Sequence, residues 1–315
     1  MTAIPPGFPA WTDLGTPDLE ASKRFYCGLF GWYVYELAIP GRNDYLMFTL
    51  ADIGGPEVAG MQELADDTQP PSWTCFFRSD DIDASLAVVE AEGGRVLVEP
   101  SDVAHLGRFA VCMDSQGAEF ALWLPFDRSV GAGVADEPSA RCWVELACED
   151  IEEARHFYGK VFGWDVVERQ YLAGGAPYTN WRVGDWSLGG MVKLDDRFPP
   201  DFTAHWIPYF WVTDPVAATE KAVDLGARVL LPPTEVEPGR FSILIDPTGA
   251  RLGLFTPAPG RASVGPTGRS GAWRRPRSMR TSSSMTSSRV ASTQPALQSC
   301  RRPLMLPMKA VAAIR

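Results

Sequence analysis

Trp11 to Trp32, WTDLGTPDLEASKRFYCGLFGW, returns without a gap 132 residues later as Trp143 to Trp164, WVELACEDIEEARHFYGKVFGW. Trp11, Leu14, Asp18, Glu20, Phe25, Tyr26, Phe30, Gly31 and Trp32 recur as Trp143, Leu146, Asp150, Glu152, Phe157, Tyr158, Phe162, Gly163 and Trp164. A repeat of this length sets the architecture. WTDLGT and WVELAC alternate large apolar with polar residues, the period of a half-buried strand. Asp18 and Asp150 stand just before a helical run, where a carboxylate can accept from a free helix amide. Ala21, Phe25, Leu29 and Ala154, Phe157, Val161 give each helix one apolar face. Gly31 and Gly163 supply left-handed C-terminal caps. The unit is strand, capped helix, glycine stop, strand.

The correspondence runs on. Tyr178 answers Tyr45, Trp181 answers Phe48, and Gly190-Met191 answers Gly60-Met61. Trp206 answers Trp73, Asp214 answers Asp81, Gly239-Arg240-Phe241 answers Gly107-Arg108-Phe109, and Asp246 answers Asp114. The offset shifts by one to three residues, and only in turn-rich stretches, as in two copies of one fold. Within each copy a second strand–helix–strands unit follows the first. Ile82 to Glu92 forms its helix in copy one, with Ile82, Leu86 and Val89 inward, and RVLVEP, RFAVCMD and EFALWLP are strands. The expected class is α+β. Residues 1–126 form a first domain, 127–140 a small-residue linker, and 141–260 a second domain.

The 315 residues and 45% hydrophobic content suffice for two such cores. The formal charge of -10 hides a partition, because residues 262–315 hold ten Lys or Arg and no Asp or Glu. Residues 1–261 are left with 19 basic and 39 acidic residues. So acidic a body repels nucleic acid and anionic lipid, which argues against both as partners. The tail, 261–315, is rich in Ser, Thr, Arg and Pro without periodicity and is expected to be disordered. Its abrupt loss of acids points to out-of-frame or non-native coding sequence. The N-terminus lacks a signal-peptide pattern, and the six cysteines form no C-x-x-C pair. A cytoplasmic protein with reduced thiols is expected, as a monomer or homodimer.

The W-x-D/E-L…FY…FGW block, followed by PPSW…GG…GRFA…D-x-x-G and a closing aromatic strand, resembles the vicinal-oxygen-chelate superfamily of glyoxalases, bleomycin-resistance proteins and extradiol dioxygenases. The tandem arrangement is similar to two-domain actinobacterial members, some of them accessory proteins of antibiotic biosynthesis. The resemblance implies that each domain is two βαβββ modules curled into a cup around a ligand. It also implies three metal-ligand positions per cup: a His on the first strand, a His or Gln on the fifth and a Glu on the last. In this chain they fall at Trp11, Thr74 and Ala121, and at Trp143, Ile207 and Gly253. None is a good ligand for a divalent cation, so no cofactor is expected, with a divalent metal as the alternative.

Only three histidines exist: His105, His156 and His205. His205, two residues from the fifth-strand position, could be rescued by a shifted alignment, and the ordinary reading is a polar strand-start residue. His156 reads as a surface residue. His105, in a loop by the expected cup mouth, is the best lone candidate for proton transfer. The candidate ligand-binding surface is aromatic: Trp11, Tyr45, Phe48, Trp73 and Trp123 in the first cup, Trp143, Tyr178, Trp181 and Trp206 in the second. Core packing is the ordinary reading for most of them. Arg108 and Arg240 could orient a carboxylate or phenolate, or could equally pair with surface acids. The expected function is metal-free binding of a planar aromatic or polyketide-type molecule, in resistance or as an accessory in secondary metabolism. The rivals are a metal-dependent lyase or dioxygenase, which would need His205 or His105 with carboxylates such as Glu145 or Glu119 in another arrangement, and a helper of a hydroxylation step that uses His105 for proton transfer.

Overall fold

The computed structural model describes residues 5–38, 45–65, 68–103, 105–127, 133–171, 177–184, 186–196, 198 and 202–258. The basic tail, with its expected disorder or foreign frame, lies outside them. The first repeat runs β1 (Pro9–Thr16), α1 (Leu19–Phe30), β2 (Tyr33–Leu37), β3 (Tyr45–Thr49), β4 (Glu57–Glu63), β5 (Ser72–Arg78), α2 (Ile82–Ala91), β6 (Arg95–Val103), β7 (Gly107–Met113) and β8 (Glu119–Pro125). The second repeats it as β9 (Arg141–Cys148), α3 (Ile151–Phe162), β10 (Asp165–Arg169), β11 (Tyr178–Val183), β12 (Trp186–Lys193), β13 (His205–Trp211), α4 (Pro215–Asp224), β14 (Arg228–Val236), β15 (Gly239–Ile245) and β16 (Arg251–Pro257).

Capping proceeds as the local chemistry requires. Asp18 is extended, and its carboxylate accepts from the amide of Ala21 at 2.8 Å. Asp150 accepts from Glu152 and Glu153 at 2.8 and 3.1 Å. Gly31 and Gly163 end their helices at φ 72° and 70°, in the left-handed region open to glycine. One strand exceeds its expected bounds: β6 runs through Pro100 to Val103. Pro100 is tolerated because β6 is the sheet's edge strand and its register shifts between Val98 and Ser101. Pro232 and Pro233 occupy the matching shift in edge strand β14.

Each repeat folds into one eight-stranded curled sheet, ordered β2-β3-β4-β1-β5-β8-β7-β6 and β10-β11-β12-β9-β13-β16-β15-β14. The two modules of a repeat meet where β1 runs antiparallel to β5, Asp13 opposite Thr74, and where β9 runs antiparallel to β13, Glu145 opposite Ile207.

Alternation divides each central strand between two faces. Leu14, Trp73, Cys75, Phe77, Phe120 and Leu122 face the helices, while Trp11, Phe76, Ala121 and Trp123 face the other way. The helix-side cores are shared between repeats. One joins α2, β7 and β8 to α3, β9 and β12; the other joins α1, β3 and β4 to α4, β15 and β16. Tyr26 donates to Asp246 Oδ2 at 2.8 Å and accepts from Trp73 Nε1 at 2.9 Å. Tyr158 does the same with Asp114 and Trp206, at 2.9 and 2.8 Å. Trp32 Nε1 donates to the carbonyl of Ser139, just before β9, and Trp164 Nε1 to that of Gly7, just before β1. The residues that announce the repeat are thus those with which each copy grips the other.

Candidate functional site

With the convex faces occupied by helices, the concave faces are the candidate sites. In the first cup, β1 presents Trp11 and, two residues on, Asp13. The Asp13 carboxylate is buried, and its Oδ1 accepts from Trp11 Nε1 and from Tyr45 Oη, both at 2.6 Å. Tyr45 reaches it from β3 across β4, where Gly60 pairs with Asp13. A Cβ at Gly60 would collide with the Tyr45 hydroxyl and Asp13 Oδ1, so this position needs glycine. Ala10, Phe76, Phe109, Ala121 and Trp123 complete an apolar wall. Trp123 Nε1 is buried, with no hydrogen-bond partner among the described residues. At the rim, Thr74 donates to Glu119 at 2.8 Å.

The second cup repeats this plan with one substitution. Glu145 stands in place of Asp13. Tyr178 donates to its Oε2 at 2.6 Å and in turn accepts from Trp143 Nε1 at 3.1 Å. Gly190 clears the path of Tyr178, as Gly60 does for Tyr45. Tyr209, where the first cup has Phe76, donates to Oε1 at 2.8 Å. Its ring lies over Gly253, where any Cβ would run into Cδ1. Burial drives the Glu145 carboxyl above the ordinary range, and the two tyrosine hydrogen bonds oppose that shift. Burial also raises Tyr178 and Tyr209, keeping their hydroxyls protonated as donors.

The expected site residues divide accordingly. The structure brings Trp11, Tyr45 and Trp123 together in the first cup, and Trp143 and Tyr178 in the second. Phe48, Trp73, Trp181 and Trp206 are corrections: they lie on the opposite face, in the helix-side cores, where Trp73 and Trp206 bind the buried tyrosine hydroxyls. Arg108 and Arg240 are corrections too. They begin β7 and β15 on the face opposite Phe109 and Phe241, and each pairs across the hairpin, Arg108 with Asp102 at 3.6 Å and Arg240 with Glu235. His105 is exposed in the turn after β6, and no hydrogen bond reaches it among the described residues. His205 sits at the start of β13, its Nδ1 donating to the carbonyl of Thr203 at 2.7 Å; burial lowers its pKa to about 4, which keeps it neutral. His156 is exposed and bonds Glu92 of the other repeat at 2.9 Å. Glu145, expected only as a carboxylate of a metal enzyme, is central to its cup, as are Asp13 and the phenol of Tyr209, which the sequence reading does not single out. Strand alternation pointed to the acids, each two residues after a cup tryptophan.

At the implied metal positions the side chains are engaged elsewhere or carry no donor. Trp11 and Trp143 offer indoles whose N–H groups are spent on neighbouring oxygens. The hydroxyl of Thr74 is engaged by Glu119, and Ile207 has no donor. Ala121 has none, and at Gly253 the Tyr209 ring fills the space a side chain would need. These residues do not fit a metal ion at the superfamily positions.

Two tandem βαβββ sheets with a cup in each define the glyoxalase and dioxygenase class of fold. The profile of the Glyoxalase/Bleomycin resistance protein/Dioxygenase superfamily matches residues 9–122, and a glyoxalase-like domain matches residues 143–255. Anthracycline biosynthesis protein DnrV of Streptomyces peucetius is 36% identical over 264 residues, covering 79% of this chain and 93% of its own. The chain belongs to this superfamily. Among solved structures, the 2,3-dioxygenase LapB from Pseudomonas sp. KL28 superposes with a TM-score of 0.56 at 15% identity, over 82% of this chain and 96% of its own. The Mn(II)-bound glyoxalase from Novosphingobium aromaticivorans gives 0.56 at 17%, over 80% and 82%. Both likenesses speak for the fold alone. Among the described residues no helix is long and apolar enough to cross a membrane.

Proposed function

We propose that this protein binds a small molecule, a planar aromatic or polyketide-type compound, in its cups without a metal ion. Its role is that of an accessory or resistance protein in secondary metabolism. The observation that carries the reading is the floor of each cup. There a tryptophan, at a position where the resemblance implies an ion ligand, is linked by hydrogen bonds to a tyrosine and a buried acid. Apolar walls with a few fixed polar groups are the usual form of a small-molecule site. Flat rings can lie against Phe76, Phe109 and Trp123, or against Tyr209, Phe241 and Phe255. The unpartnered Trp123 N–H offers a donor to a ligand carbonyl. The relative named for anthracycline biosynthesis supports a place in secondary metabolism.

A lyase or dioxygenase using a divalent ion is the rival from a different class, and a hydroxylation helper working through His105 is another. The first would need an ion held by an arrangement other than the superfamily positions; the second would need His105 drawn to the ligand. Titration of the metal-free protein with a panel of hydroxyanthraquinones, followed by tryptophan fluorescence, tests the proposal. Saturable quenching is expected from at least one compound. A panel that leaves the emission unchanged would defeat it.

A further inference from the structure

The two cups differ most at Glu145, which is 9% exposed and lies within an aromatic enclosure. Each of its oxygens accepts one tyrosine hydroxyl, at 2.6 and 2.8 Å. A carboxylate oxygen has room for about two hydrogen bonds, so one acceptor site remains on each. Among the described residues no lysine, arginine or histidine hydrogen-bonds or ion-pairs with it. A buried carboxylate is normally paired with a cation, because desolvation strongly disfavours a lone charge. Tyr178 and Tyr209 neutralise nothing. They hold the group in place and aim it.

The surroundings favour a cation as the missing partner. Tyr178 and Tyr209 reach the carboxylate through their hydroxyls, and Trp143 stands next to it with its Nε1 on the Tyr178 oxygen; aromatic rings of this kind attract positive charge to their faces. Residues 1–261 carry an excess of acids, 39 against 19 bases, which draws cationic solutes toward the protein. The first cup is not equivalent. Asp13 is one methylene shorter, its Oδ1 already takes two donors, and Phe76 replaces the second tyrosine.

We infer that the second cup is selective for an organic ammonium, a protonated amine attached to a flat aromatic body, with the nitrogen seated on Glu145 between Tyr178, Tyr209 and Trp143. This rests on the proposed binding of aromatic molecules and adds to it the charge of the ligand and the cup that takes it. Binding pairs the Glu145 carboxylate with the ligand's ammonium, which favours the charged form that burial disfavours. Any proton the carboxyl holds leaves to solvent, and no other co-reactant is needed.

Calorimetry with 2-naphthylmethylamine and 2-naphthylmethanol, alike in body and different in head group, tests the inference. Titrations in buffers of unlike ionisation enthalpy count the protons released. The amine should bind at least ~10-fold more tightly than the alcohol, with proton release that grows as pH is lowered. Glu145→Gln should abolish that preference, Tyr209→Phe should weaken it, and Glu20→Gln, on the exposed side of α1, should leave it intact. Equal affinity for the two probes, or a preference that survives Glu145→Gln in protein with wild-type circular dichroism, overturns the inference and leaves aromatic binding standing. Failure of both probes to bind overturns it together with the reading beneath it.

Discussion

The two faces of each sheet have diverged to different degrees. On the helix side the copies are nearly interchangeable: Tyr26 and Tyr158, Trp73 and Trp206, Asp114 and Asp246 make the same bonds across the same contacts. In the cups they part, with Asp13 against Glu145, Phe76 against Tyr209, Ala121 against Gly253, and Glu119 against Arg251. The helix side must remain self-complementary, because each residue serves one copy and grips the other. The cup is constrained only by what enters it. A duplicated chain thereby meets within itself the packing demand of its two sheets and leaves two cups free to specialise.

The largest effect should come from breaking the shared face. Phe77 is fully buried against Phe162, Trp164 and Trp206 of the other repeat. Phe77→Ala should cost about 3–5 kcal/mol in urea unfolding, and Phe210→Ala, its counterpart against Phe30, Trp32 and Trp73, a similar amount. A loss below about 1 kcal/mol at either position would contradict shared cores.

Within the cups the comparison is sharpened at Gly253. Gly253→Ala forces the Tyr209 ring aside and should cost about 1–3 kcal/mol, as overpacking does, while Ala121→Gly in the first cup should stay near 1 kcal/mol, the usual cost of glycine in a strand. Equal effects would remove the asymmetry.

A smaller effect lies in the pH dependence of Glu145. Its folded carboxyl holds its proton more tightly than the unfolded one, because burial raises it above the ordinary 4.5. The native state therefore loses stability as pH climbs from the unfolded value through the folded one, and the deficit levels off above that. Glu145→Gln has no such deficit. Its stability relative to the wild type should improve as pH rises from 4 toward neutrality, measured by urea unfolding at each pH. A flat difference would mean that the carboxyl is solvated.

The fold was legible because the repeat, the aspartate caps and the glycine stops are local chemistry, written twice. Strand alternation in WTDLGT and WTCFFR was legible as well, but not its sense. Both faces of these sheets are apolar, one against helices and one lining a cup, so periodicity separated Trp73 from Phe76 without saying which faced the ligand. That is why Phe48, Trp73, Trp181 and Trp206 read as site residues and proved to be core. Arg108 and Arg240 took the second of their two expected roles, pairing with Asp102 and Glu235 rather than turning to a ligand. Glu145 and Tyr209 were harder to see, because their meaning lies in a contact across 64 residues and over a bare Gly253. What the sequence did disclose of the site was the lack of ion ligands at Trp11, Thr74, Ala121, Trp143, Ile207 and Gly253.

Elemental analysis of protein purified without chelator, and saturated with a ligand it binds, addresses that last point most directly. The account predicts zinc, iron, nickel and manganese all well below one ion per chain, with ligand still bound. One such ion per occupied cup, lost together with ligand binding on chelation, would contradict it.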